Sequence, residues 1–166
     1  MATFGNTTAG GDSFPCSNDR ALGSKFTLTE AGNVTAVNCR FDVTSTAGAN
    51  YKGVIYNDSA GSPGSRVAVG AATAVPAGGG VVASSITASL SAGDYWLVSV
   101  TDSFQSIYEI ELTGVSQRKE AFTYASPADP FGTPDGSSTE LCIYATYTAS
   151  VSASPGPNPR QIYIMP

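Results

Sequence analysis

The chain has 166 residues, is 42% hydrophobic and only 13% charged, and carries a formal net charge of −5 at pH 7, which suits one domain, or one domain and a tail, around a real core. Its eight scattered Lys and Arg residues offer no phosphate-neutralising surface, which argues against nucleic acid, and its lack of histidine removes the commonest general base, the Ser-His-Asp and Cys-His arrangements and most zinc sites. No apolar run approaches the roughly 20 residues of a membrane span, and polarity comes from Ser, Thr, Asn and Gly, as in exported or particle-bound β-proteins.

Residues 1–23 are rich in Gly, Asn and Ser, lack a period and read as an irregular lead-in. Met1 to Asn6 has neither the basic nor the apolar region of a signal peptide. From residue 24 to 149 the pattern is β throughout. Lys25 to Thr29 alternates with Phe26 and Leu28 inward, and Glu30 to Asn33 turns the chain. Val34 to Val43 holds the cleanest period of two, setting Val37, Cys39, Phe41 and Val43 against Asn38, Arg40 and Asp42. Tyr51 to Tyr56 is a strand closed by Asn57 to Gly64, the strongest turn chemistry in the chain. A short strand over 66–70 follows, then breaks at Pro76 and Gly78 to Gly80, then a weaker strand from Val81 to Leu90.

The chain is organised around the next stretch, Gly93 to Asp102, a turn running into β-branched and aromatic residues. Trp96, Val98 and Val100 share a wholly apolar face, the better core face, while Tyr95, Leu97 and Ser99 share the other. Both faces begin apolar. That predicts the centre of a sheet whose outer face meets a ligand, a partner or another layer. Further strands read over 107–113, 117–124 and 139–148, the last two flanking a long Pro/Gly loop at 125–138. Nothing reads as a helix longer than a turn.

Such short strands with Gly/Pro turns predict an all-β fold, an antiparallel β-sandwich of the jelly-roll kind, with an immunoglobulin-like sandwich as the alternative. Residues 150–166 differ in kind. Pro155, Pro157, Pro159 and Pro166 favour an extended tail, and the apolar Ile162, Tyr163, Ile164 and Met165 form a sticky end suited to docking on a neighbour by strand addition.

The chemistry-bearing residues are sparse. Glu109 and Glu111 share a strand face, which is the pattern of a solvated face more than of a glycosidase pair. Asp129, Asp135 and Glu140, on or beside the long loop, are the candidates for a calcium ion, although their spacing is not that of an EF-hand. Tyr95, Trp96, Tyr144 and Tyr147 are candidates for stacking on a glycan, with Trp96 read first as a core anchor. Cys16 and Cys39 could pair, or Cys39 could be a plain buried thiol.

Three segments, Phe26 to Thr35, Gly53 to Gly64 and Ser91 to Leu97, together resemble a β-sandwich module found in bacteriophage virion proteins and in secreted bacterial proteins beside carbohydrate-binding modules. The resemblance spans about residues 22–102 and brings no catalytic motif with it. Together with the Ser/Thr-rich composition, the absence of histidine and the sticky tail, it implies a non-enzymatic structural protein of a virion, in capsid decoration or in a tail or fibre, assembling through apolar outer faces of its sandwich and through its C-terminal tail. The expected partners are copies of itself, a trimer being favoured, and other virion proteins. The alternative is an extracellular carbohydrate-binding module, for which surface glycans would be the partner.

Overall fold

Alternating apolar and polar residues, punctuated by Gly, Pro and Asn, lay strands along most of the described residues. The computed structural model describes residues 1–16, 20–45, 48–103, 105–110, 116–119, 122–138 and 140–150. In chain order the strands are β1 (Ala2–Gly5), β2 (Asp12–Cys16), β3 (Ala21–Leu28), β4 (Gly32–Phe41), β5 (Asn50–Ser59), β6 (Ser62–Val69) and β7 (Thr73–Ala74). They continue with β8 (Gly80–Leu90), β9 (Gly93–Thr101), β10 (Gln105–Ile110), β11 (Ser116–Lys119), β12 (Gly136–Ser138), β13 (Glu140–Leu141) and β14 (Ile143–Ala149). No helix occurs among the described residues.

Four antiparallel pairings define the topology: β1 with β14, β3 with β9, β4 with β8, and β5 with β6. These eight strands are one long hairpin, pairing first with last and so on inward. The hairpin is folded into two sheets by the further pairings β14–β4 and β9–β5. The orders β1-β14-β4-β8 and β3-β9-β5-β6 are those of a jelly roll, and the immunoglobulin alternative falls away. The first sheet also carries β2, β10 and β13, and the second β7, β11 and β12. Most of these additions lie between β9 and β14.

Several sequence expectations change. The lead-in is not irregular: residues 2–5 form the first strand of the roll, with Phe4 packed edge-on against Tyr95 and Tyr147, residues 12–16 form β2, and β3 already begins at Ala21. Val43 does not face inward. β4 ends at Phe41, Asp42 turns the chain by accepting from the Thr44 N–H at 2.8 Å, and Val43 is left 69% exposed. The supposedly weak strand is the longest, β8, with unbroken alternation from Val82 to Leu90.

Between the sheets lies the main core, built from Leu22, Leu28, Val37, Cys39, Phe41, Tyr51, Ile55, Leu97, Leu141 and Ile143, among others. Gly53 is needed where the sheets approach: a Cβ there would run into the Val37 side chain and lie 2.9 Å from the Tyr51 hydroxyl. The expected order of the β9 faces is reversed. Tyr95 and Leu97 enter the main core, while Trp96, Val98 and Val100 point outward into a second core with Ala21, Val54, Tyr56, Phe122 and Phe131. β9 is nonetheless the centre of its sheet, flanked by β3 and β5 and buried on both faces.

Candidate functional site

The outer face of the β3-β9-β5-β6 sheet is closed by the chain itself. Residues 122–135 leave the β11 side, reach β6 and return to β12, forming a strap over Trp96. The Tyr56 hydroxyl donates to the Ala128 carbonyl at 2.7 Å, and the Lys52 ammonium donates to the Tyr124 carbonyl at 3.1 Å while lying 4.3 Å from that ring's centroid. At β6 the Phe131 N–H donates to the Gly64 carbonyl at 3.0 Å, and the Arg66 guanidinium donates to the Pro127 carbonyl. Phe131 meets Tyr56 edge-on with centroids 5.3 Å apart. Burial pushes the Tyr56 phenol far above its usual range, with Arg66 opposing the shift, so it serves as a neutral donor. The layer foreseen outside β9 is therefore the protein's own Pro/Gly loop.

Most of the glycan-stacking candidates are held inside. Trp96 is fully buried, its indole N–H donating to Asp58 Oδ1 at 2.8 Å. Tyr95 lies in the main core with its hydroxyl donating to the Ser91 carbonyl at 3.1 Å. Tyr147 is likewise inward, with its hydroxyl donating to Glu30 Oε1 at 3.1 Å. Tyr144, on the opposite face of β14 from Tyr147, is the half-exposed member of the set.

The acidic candidates do not converge. Asp129 Oδ1 accepts the Arg66 backbone N–H at 2.9 Å, Asp135 is exposed, and Glu140 is half-buried. Among the described residues, no three His, Cys, Asp or Glu side chains come together to hold a metal ion. Asp58 and Asp94 share Lys25, whose ammonium lies 3.8 and 3.7 Å from them, and Thr27 donates to Asp94 at 2.6 Å. This is an ion-pair cluster that clamps β3 to β9. Cys39 is a buried thiol in the main core, and neither it nor Cys142 is disulfide-bonded. The side chains of Glu109 and Cys16, residue Glu111, and the tail residues Ile162, Tyr163, Ile164 and Met165 lie outside the described set.

Among the described residues no strap crosses the outer face of the other sheet, where Thr3, Gly5, Ala83 and Ser85 are exposed and Ala36, Tyr144 and Thr146 half-buried, and it is the surface that sequence reasoning missed. Across β1, β4, β8 and β14 the one charged side chain is Arg40. Register places the outward side chains in rows. Gly5, Tyr144, Asn38 and Ala83 stand side by side, and Thr3, Thr146, Ala36 and Ser85 form the next row. Asn38 is pinned, its amide donating to Thr146 Oγ1 at 2.8 Å and to the Tyr144 carbonyl at 3.4 Å. Ser89 Oγ likewise donates to Asn33 Oδ1 at 2.6 Å. The signal was present as Ser, Thr and Asn at alternate positions of four strands, but only register brings them together.

The chain matches no known family, no curated protein and no solved structure.

Proposed function

We propose that this protein is a non-enzymatic structural component of a virion, displayed as capsid decoration or in a tail or fibre, and attached to its neighbours through residues 150–166. The observation that carries this reading is a jelly roll that completes itself. Its own strap covers the second apolar core, so the sandwich needs no partner to fold and is free to be added to a particle. The resemblance of residues 22–102 to virion modules supports the same reading. Assembly through apolar sandwich faces is not favoured, because one face is capped and the other is polar. That leaves the apolar end of the tail, Ile162 to Met165, as the clip. Light scattering on the full chain and on a chain ending at Ser150 tests this. A trimer or larger assembly that dissociates on truncation is expected; a monomer in both forms would overturn the clip.

A second reading is favoured by the open, nearly uncharged sheet face: a carbohydrate-binding module of an exported or surface protein.

A further inference from the structure

We propose that the open face of the β1-β14-β4-β8 sheet is a binding surface for a neutral polysaccharide, with the Tyr144 ring as its platform. The inference rests on the second reading above and names both the site and the class of glycan. Its geometry is a two-row grid. In the first row the Tyr144 ring is flanked by Gly5, which has no side chain, by Asn38 and, beyond it, by the small Ala83. The adjoining row on the other side of the ring holds Arg40, half-buried, and Val81, exposed. In the second row, two residues or about 7 Å further along the strands, Thr3, Thr146 and Ser85 offer hydroxyls.

A sugar ring presents the same two chemistries, an apolar C–H face and a rim of hydroxyls. The phenol ring takes the first, and hydroxyls that both donate and accept take the second. Hydrogen bonds orient part of the grid before anything arrives, because Asn38 is held by Thr146 and by the Tyr144 backbone.

Charge selects the occupant. The protein is acidic, yet these four strands hold no carboxylate, and Glu140 on β13 of the same sheet is half-buried and bonded by Asn6, so a cationic ligand finds little counter-charge among the described residues. Their one cation, Arg40, is half-buried beside the Cys142 thiol, so an anionic glycan meets a single, partly shielded charge. A second copy of the chain fits poorly as well. A stable protein interface needs an apolar centre, and Val81 is the one large aliphatic side chain that these strands expose. A neutral glycan is the chemistry that remains.

The test is affinity electrophoresis of the full chain in native gels containing dextran, xyloglucan or laminarin, with alginate as the anionic comparison. Retardation by at least one neutral polymer is expected, reduced tenfold or more in Tyr144→Ala and in Ser85→Lys, and unchanged in Val43→Ala. Tyr144→Ala disturbs a half-buried ring, whereas Ser85 is exposed, so Ser85→Lys keeps the test valid should the first variant fold poorly. Retardation that survives both substitutions would overturn this site while leaving glycan binding by the protein standing. No retardation by any neutral polymer, or retardation by alginate alone, would overturn both.

Discussion

The bond from the Trp96 indole to Asp58 joins a fully buried donor to a carboxylate that also accepts the Gly61 N–H at 3.1 Å. Replacing Asp58 with Ala leaves that indole N–H without a partner beneath the strap, and the expected loss is about 1–3 kcal/mol in urea unfolding. In a Trp96→Phe background the same replacement should cost less, since Phe has no N–H to strand; equal costs would show that the bond contributes nothing. The Lys25 pairs add little, because exposed ion pairs contribute about 0–1 kcal/mol. Glu140 gives a pH signature. Burial raises its carboxyl above the ordinary value, with a hydrogen bond from Asn6 opposing the shift. The folded state therefore holds this proton more tightly than the unfolded chain does, so this group's contribution to stability is full at low pH. It declines as pH rises from the unfolded toward the folded value. Glu140→Gln should match the natural protein at low pH and become the more stable of the two above that window. A stability difference independent of pH would contradict it. At this scale the sequence was legible as far as identity: Trp96 was read as a core anchor, and it is one. What it anchors to was hidden, because Asp58 is 38 residues away and meets it only through the β5–β9 pairing.

Among the elements, the strap has the clearest energetic consequence. Phe131 is fully buried between Tyr56 and Phe122. Truncation to Ala should cost about 3–5 kcal/mol and should shift Trp96 emission to the red as water reaches the second core. Loss of stability without a spectral shift would mean that the strap stays down without its anchor. Gly53 is the counterpart inside the sandwich. Gly53→Ala forces a methyl against Val37 and should cost about 1–3 kcal/mol by overpacking, measured by thermal unfolding; a neutral result would show that the sheets can separate slightly there. The loop at 125–138 was legible as a loop from its prolines and glycines. Its role was not, since composition marks where a chain leaves a sheet and is silent on which face it crosses. The reversal of the β9 faces has the same origin: both are apolar, and alternation alone cannot rank them.

For the whole molecule, the fold class was legible because short alternating strands with Gly/Pro turns leave few architectures open. The lead-in was the exception. Four residues, Ala2 to Gly5, are too few for a period to show, and their strand exists because Phe4 has a place between Tyr95 and Tyr147. The open face was illegible for a related reason, since a surface drawn from four strands exists only once register aligns them. The pairing of β1 with β14 decides how the domain would bear load. Ala2 lies opposite Tyr147, so a pull applied between Ala2 and Ala149 acts at one end of the ladder and across its hydrogen bonds, not along them. Bonds loaded in that way open one at a time, as in a zipper, where a sheared ladder would have to break several together. Tension across those two points would peel β1 away at low force and draw Phe4 out of the core while the β3-β9-β5-β6 sheet, belted by its strap, stays whole. A particle that hangs this domain by both points would gain an extensible joint; one that holds it from a single point would keep it rigid.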